Sequence, residues 1–443
     1  MDEVRSAARP VGQPEARDVA FLCQPYHRGG VTRWMVDAAS EWVRRDQGRC
    51  WLVAPLPRSP FVNGAGRPTI VELAETLPSG VRPRIAAPVV GSEFEFGTCD
   101  YRARVLARAL QQTLPAGVPI VVSDDPATWR GSSLVRGRHP LIGVLHGPDE
   151  PYMRLAEQYQ GVAAAIVGVS PRVLNAARAR VRTEEMATRV IPCGIPLPPA
   201  PPAPGHESSE IRVIWVGRIT EREKRVSDLA AIAVELARAG RRFRLDIAGD
   251  GEDSGALRES VVRNELTQVV HFHGWLNHEA VTDLLARADV LLLPSNFEGM
   301  PVAAMEALAR GCSVVASDTS GLDHYLDSPE AREALWIFPC GDVPGAARLV
   351  LRAAAVPPAQ RRRAARRLAE QEFSIAICMD RYAALLSEIH QRRRTGPAAI
   401  ASHAAADLAS FAVAAARQLR LRVASKLARR ATDGLPRSAL MRA

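Results

Sequence analysis

Two glutamates eight positions apart, Glu298 and Glu306, frame the stretch SNFEGMPVAAMEALARG at 295–311, which lies between the apolar runs Val290–Leu293 and Val314–Ala316. An ionised carboxylate only accepts hydrogen bonds, so two of them in one stretch suit the hydroxyl groups of a ribose or a sugar. Pro301 fits the first turn of a helix and Gly311 its end, which predicts a buried strand, a tight Glu298-Gly299 turn and a helix from about Pro301 to Arg310. The start of such a helix turns unpaired N–H groups and a positive dipole end outward, so the space before Val302–Ala304 favours an anion such as a phosphate. Taken singly, Glu306 also fits a solvated helix residue and Glu298 an N-terminal helix charge.

Cations fall at a neighbouring strand end. Gly217-Arg218 follows the apolar strand Arg212–Val216, and Lys224 stands six residues further on, just before an expected helix. Of the 57 Lys plus Arg residues only Lys224 and Lys426 are lysines. A compact ammonium on a flexible stem suits a diphosphate, although either cation alone also fits an ordinary surface charge. Gly29-Gly30 follows the first strand, where adjacent glycines let a loop approach a ligand backbone-first; most such pairs are simple turns. His146-Gly147-Pro148 ends the strand Leu141–Leu145 and places an imidazole where it could donate to a sugar hydroxyl, shuttle a proton, or be structural.

Two lookalikes are set aside. Gly249-x-Gly251 with Gly255 resembles a dinucleotide fingerprint, but the third glycine is one position late and no acidic residue closes a following strand. Asp124-Asp125 suggests a metal-binding pair, but adjacent residues on a strand end point apart and no third ligand accompanies them; a solvated turn is expected, and no metal site.

The elements that position these residues are short apolar runs alternating with amphipathic helices, the mark of βαβ units and a parallel sheet. Strands are expected at Asp18–Gln24, Cys50–Ala54, Pro119–Ser123, Leu141–Leu145 and Ala164–Val169, with helices at Thr32–Arg45, Tyr101–Leu114, Asp149–Gln160 and Pro171–Val181. The segment from Pro55 to Pro119 is largely irregular, and Ile191–Glu210 is proline-rich, as in a linker. The alternation restarts with strands at Arg212–Val216, Arg244–Ala248, Val269–His273, Val290–Leu293 and Trp336–Phe338, and helices at Val226–Ala239 and Asn277–Ala288. Helices follow at Val343–Ala355, Pro358–Gln371 and Ile375–Arg393. Ligands of such sheets lie outside the carboxyl ends of the strands, so two of them in series form a natural cleft.

With 443 residues, 47% hydrophobic and 24% charged, the chain has room for two full cores and the composition of a soluble globular protein. It carries no apolar run long enough to span a bilayer and Met1–Arg17 lacks a signal-peptide core, so a cytoplasmic location is expected. Seven scattered cysteines without a Cys-x-x-Cys pair argue against a disulfide framework or zinc and are expected as buried apolar fillers. Of the net charge of +9, six lie in Ala401–Ala443, so nucleic-acid binding by the main body is not implied.

Together, Gly29-Gly30, His146, Gly217-Arg218, Lys224, the Glu298-x7-Glu306 pair and Gly311-Cys312-Ser313-Val314-Val315 resemble the retaining glycosyltransferases of family 4, the glycosyl transferases group 1. The resemblance runs from about Asp18 to Arg393, strongest over Ile211–Leu326 and weakest over Pro55–Pro119. It implies the GT-B architecture: α/β, two facing Rossmann-like doubly wound domains with an interdomain cleft. Residues 1–17 would be a flexible N-terminus, 18–192 the acceptor-side domain, 193–210 the linker and 211–372 the nucleotide-sugar domain. A crossover helix at 373–394 would return to the first domain, and 395–443 would form a basic helical tail. The implied activity is a hexosyltransferase-type transfer from a nucleoside-diphosphate sugar to a hydroxyl acceptor, in glycan, polysaccharide or glycolipid synthesis. No further cofactor and no metal are implied, since cations and a helix N-terminus stabilise the departing diphosphate.

By position, the resemblance assigns His146, Glu298, Arg218 and Lys224 to catalysis. It assigns Gly29, Gly30, Gly217, Arg218, Lys224, Glu298, Gly299, Met300, Pro301 and Glu306 to the donor. Arg218 and Lys224 would neutralise the diphosphate, Glu306 would hold the ribose and Glu298 the transferred sugar. Gly30 would close over the diphosphate, while backbone near Phe272–Leu276 would meet the base. Same-face attack, with the leaving phosphate assisting deprotonation, would give retention without a separate base. One departure stands out: where the family commonly has Gly-Gly-x-x-Glu after Asp318, this chain has Ser320-Gly321-Leu322-Asp323-His324, with His324 in place of the usual acidic residue.

Beyond Arg393 the resemblance ends. Apolar residues recur at three- or four-residue intervals from Leu408 to Leu427 among Arg417, Arg420, Lys426 and Arg430, as in a basic helix over 404–430 resting on an anionic membrane at the inner face of the plasma membrane. A solvated Arg/Ala-rich extension fits equally. Two alternatives to the transferase share the architecture. One is a catalytically silent protein that binds a nucleotide-sugar or a protein partner; the other is a nucleotide-sugar epimerase or a glycan phosphorylase, the last needing a lysine for pyridoxal phosphate.

Overall fold

The computed structural model describes residues 17–24, 30–57, 69–87, 89–90, 94, 97–123, 125–182, 186–199 and 210–395. Gly29 and the 404–430 segment lie outside them. The first part of the chain forms β1 (Val19–Leu22), α1 (Gly30–Arg44), β2 (Cys50–Val53), β3 (Leu56–Pro57), α2 (Ile70–Glu75), β4 (Arg84–Ala86) and β5 (Val89–Val90). It continues with α3 (Cys99–Thr113), β6 (Ile120–Val122), α4 (Pro126–Ser133), β7 (Leu141–Leu145), α5 (Glu150–Tyr159), β8 (Ala163–Gly168), α6 (Pro171–Arg178) and β9 (Ala187–Val190). The second part forms β10 (Ile211–Val216), α7 (Glu221–Lys224), α8 (Ser227–Arg238), β11 (Phe243–Ala248), α9 (Ser254–Arg263), β12 (Val270–Gly274), α10 (His278–Arg287) and β13 (Val290–Leu293). After these come α11 (Val302–Ala309), β14 (Ser313–Ser317), α12 (Ala331–Ala334), β15 (Leu335–Phe338), α13 (Val343–Ala355), α14 (Pro358–Leu368) and α15 (Ile375–Thr395).

Seven strands pair in the order β4-β2-β1-β6-β7-β8-β9 and six in the order β12-β11-β10-β13-β14-β15, while β3 and β5 make a small ribbon of their own. All pairings are parallel, as the apolar, β-branched strands with helical connections require. Strands such as VAFL of β1 and VLLL of β13 are buried along their whole length because helices cover both faces of each sheet. The strand order reverses between β1 and β6 in the first sheet and between β10 and β13 in the second. At such reversals the outgoing loops diverge and leave a crevice at the carboxyl ends.

The long-period elements stand within a few residues of where the sequence places them. Not expected from the sequence are the helices α4 and α9, the short α2, α7 and α12, and the strands β3, β4, β5 and β9. The PATWRGSS of α4 has no apolar period, and α9 buries only Leu257 and Val261. Asp125 is therefore not in a solvated turn. Its side chain caps α4 by accepting from Ala127 N at 3.0 Å and pairs with Arg102 at 2.5 Å. The expected linker also starts later than 193. Ile191, Cys193 and Ile195 are buried, and Ile195 pairs with the segment leading into α15, its N–H donating to Phe373 O at 2.8 Å and its carbonyl accepting from Ile375 N at 2.9 Å. Nor are all cysteines fillers: Cys99, the first residue of α3, is exposed, and Cys340 at the end of β15 is half-buried.

α15 returns to the first domain. Asp380 accepts from Arg45 at 2.7 Å and Gln47 at 3.0 Å, Glu388 pairs with Arg189, and Tyr382 packs on Trp34 with ring centroids 6.1 Å apart. Among the described residues no helix is long and apolar enough to cross a membrane.

Candidate active site

The loops after β10 and β13 straddle the reversal point of the second sheet, and they hold the cations and the first carboxylate. Lys224 stands just before α8, as expected, and also ends the unexpected one-turn α7, whose terminus is closed by Arg225 in the left-handed region at φ 47°. Lys224 Nζ donates to Glu298 Oε1, an ion pair between residues 74 apart in sequence, and the Ser295 hydroxyl donates to the same oxygen at 2.9 Å. Both charged side chains are mostly covered, so the pair is held where water screens it little. Arg218 stands on the same edge, exposed, with no ion-pair partner among the described residues.

Asn296 ties the two loops together. Its backbone N–H donates to Glu223 O at 2.9 Å, its Nδ2 donates to Arg222 O at 2.9 Å, and its Oδ1 accepts from Arg225 Nη1 at 3.4 Å. On the other flank, the Glu298 N–H donates to Thr319 O at 3.1 Å, and the Ser317 and Thr319 hydroxyls both donate to Ser295 O at 2.6 Å. The 295–299 loop is thereby fixed between the loops after β10 and β14. Nothing in the sequence pattern marked Asn296.

Pro301 is the N-cap residue of α11, and no side chain caps that end. The Ala304 N–H donates to Pro301 O at 3.0 Å, which leaves the N–H groups of Val302 and Ala303 for whatever lies in front of them. Gly30, the first residue of α1, faces this helix start: a Cβ there would sit 3.1 Å from Val302 Cγ2. Gly299 touches the first domain, since a Cβ on it would fall on the backbone carbonyl of His146. Gly321, at φ +76°, lies against the Gly299 carbonyl and the Ser170 hydroxyl, where an added Cβ would be 2.6 and 3.3 Å away. Met300 is buried beneath this seam. Gly217 backs onto Gly249 of the dismissed glycine pattern, whose Cβ would collide with the Gly217 carbonyl; those glycines are there because two strand-end loops approach closely.

His146 sits opposite at the end of β7, its ring edge-on to Trp34 with centroids 5.4 Å apart. Nδ1 lies 3.5 Å from Cys193 Sγ, and Nε2 is buried without a hydrogen-bond partner. Burial pushes its pKa down to about 3, so the ring is neutral near pH 7. A hydrogen bond to a hydroxyl fits this better than proton shuttling, which wants a pKa near the working pH.

Glu306, one turn into α11, faces α1. With Arg33, Asp37, His278 and Arg310 it lines a cavity of about 80 Å³ between the two domains. Burial raises its pKa to about 7, against the lowering effect of Arg310. These four neighbours escaped the sequence reading, although Arg33 and Asp37 stand at the helical i,i+4 spacing that signals a pair. Trp275, after β12 on the same edge of the second sheet, is 77% exposed. In the departing loop, His324 stacks on Tyr325 with centroids 4.0 Å apart, and burial lowers its pKa.

Residues 210–355 match the family described as Glycosyl transferases group 1. Over 190 residues the chain is 31% identical to the amylovoran biosynthesis glycosyltransferase AmsK of Erwinia amylovora, covering 40% of this chain and 45% of that one. The chain thus spans less than half the length of that relative. The structure superposes on HepE of Anabaena with a TM-score of 0.63 at 19% identity, over 84% of this chain and 99% of that one. On TarM of S. aureus the TM-score is 0.66 at 10% identity, with 84% and 99% covered. The match of 210–355 falls on the domain that holds Arg218, Lys224, Glu298 and Glu306, so that segment is similar to the glycosyl transferases group 1, and the fold is a two-domain α/β arrangement of the GT-B type.

Proposed function

We propose that this protein is a retaining glycosyltransferase that moves a hexose from a nucleoside-diphosphate sugar to a hydroxyl acceptor. The observation that carries it is the convergence of Lys224, Glu298, exposed Arg218 and the uncapped start of α11 at one strand edge, facing His146. Cleavage of the sugar–phosphate bond builds negative charge on the departing diphosphate, and cations and N–H groups already in place there lower the barrier. Lys224 is anchored by Glu298 until a diphosphate competes for it, which frees the carboxylate to accept from the sugar hydroxyls. Glu306 accepts from the ribose, and neutral His146 donates to the sugar or the acceptor. The leaving phosphate takes the acceptor proton on the same face, so the anomeric configuration is kept. Trp275 lies where the base would be met. The acceptor docks on the first domain, and the basic 404–430 segment lies on an anionic membrane when the acceptor is lipid-linked.

A thermal-shift screen of nucleoside diphosphates and their sugars tests this. HepE was crystallised with UDP and glucose and TarM with UDP, so uridine diphosphate sugars come first. A donor at about 100 times its dissociation constant should stabilise the chain by about 2.7 kcal/mol, and Lys224→Ala and Glu306→Ala should abolish the shift. No shift with any donor would favour a silent binding protein. The membrane contact fails if a chain ending near residue 394 sediments with anionic liposomes as the full chain does.

A further inference from the structure

The cavity beside Glu306 has a first-domain wall that the donor reading does not use. Arg33 Nε donates to both carboxylate oxygens of Asp37, at 3.0 and 2.9 Å, and the Asp37 side chain is only 10% exposed. A buried carboxylate with a guanidinium across it, facing another domain, is more than a surface i,i+4 pair. Across the cavity stands Glu306, its side chain 17% exposed, with His278 Nδ1 of α10 at 3.6 Å from Oε1. Arg310 closes the far side from α11, and Asp283 of α10 acts in turn on Arg310.

We infer that Arg33 and Asp37 are positioning residues that set the charge on Glu306 across the interdomain cavity, so that the nucleoside end of the donor site is built from both domains. This rests on the proposal that Glu306 accepts from ribose hydroxyls, which only an ionised carboxylate does at both oxygens. Asp37 opposes that ionisation and Arg33 favours it, in line with the directions each exerts on Glu306. Burial is the main cause that lifts Glu306 to about 7 and Arg310 the first to oppose it; on that background the opposed charges of Asp37 and Arg33 make its protonation responsive to either partner. Donor binding should therefore strengthen as pH rises through about 7, and the midpoint should be movable from α1.

The test is the affinity of the full chain for uridine diphosphate, and for the adenosine, guanosine and thymidine diphosphates, between pH 5.5 and 8.5. Asp37→Asn should lower the midpoint by about one unit and bind about fivefold more tightly at pH 6. Arg33→Gln leaves two carboxyl groups sharing a proton and should raise the midpoint by a similar amount. A merely structural role would weaken binding in both variants and move neither midpoint. Unshifted or parallel midpoints would overturn the inference while leaving the donor reading intact. Binding of none of the four diphosphates by the unaltered chain would overturn the donor reading and the inference with it. A ligand-free measurement guards against poor folding: the pH at which each variant's thermal midpoint diverges from that of its Glu306→Gln double variant should shift with the same opposite signs.

Discussion

Lys224 and Glu298 are ion-paired, and through that contact the loop after β10 is joined to the loop after β13 at the point where the strand order of the second sheet reverses. The pair is a ready-made exchange site. A diphosphate offers Lys224 a stronger acceptor than one carboxylate oxygen, and Glu298 is left facing the group next to it.

Removing either partner should separate charge from shape. Lys224→Ala leaves Glu298 with only the Ser295 hydroxyl on Oε1, and should lower kcat by about 10²- to 10³-fold, or about 3 kcal/mol of barrier. Glu298→Gln keeps the side-chain volume and a Lys224 acceptor, so it should lower kcat with little change in thermal midpoint. Steady-state kinetics beside calorimetry check both.

Gly299→Ala should be far worse than its size suggests. The new methyl group would collide with the His146 carbonyl, which belongs to the other domain and cannot move alone. The expected result is a domain seam forced apart: transfer lost, and a larger radius of gyration in small-angle scattering than the unaltered chain.

Asn296→Ala should cost about 1 to 2 kcal/mol of stability from its lost side-chain hydrogen bonds to Arg222, Arg225 and Cys340 and lower kcat more than it raises KM, because α7 and Lys224 lose their tether. Asn296→Asp, which keeps the acceptor for Arg225, should recover part of the activity.

Glu306 links stability to pH. Its folded pKa of about 7 exceeds the ordinary 4.5, so the folded chain holds this proton more tightly than the unfolded one. Its contribution is fully present below about pH 4.5 and is lost as pH rises to about 7. Glu306→Gln should therefore stabilise the chain at pH 8, by up to about 3 kcal/mol, and change little at pH 4.5, as denaturant unfolding at the two values would measure.

Much of this was legible in the amino-acid order, for physical reasons. Runs such as VLLL and SVVAS are buried on both faces, so their type and position follow from hydrophobicity alone. Glu298, Glu306, Arg218 and Lys224 stood at strand ends or one helix turn beyond, where the fold class places ligands. What stayed hidden depends on long-range contact. Asn296 is an ordinary loop residue until α7 is folded against it. Arg33 and Asp37 gain their importance from a helix some 270 positions away. The glycines at 249 and 251 mimic a nucleotide motif because close packing of two loops makes the same demand on the backbone as a phosphate does. The chain at 193–195 has a linker's composition, yet its backbone groups pair with the start of the last helix.

The most direct measurement is isothermal titration of the full chain with a nucleoside diphosphate and with its sugar, beside Lys224→Ala of verified fold. Binding in the micromolar range to the unaltered chain, weakened at least tenfold by the substitution, is the expected result. Equal binding by both proteins, or none by the unaltered chain, would contradict the placement of the donor diphosphate at Lys224.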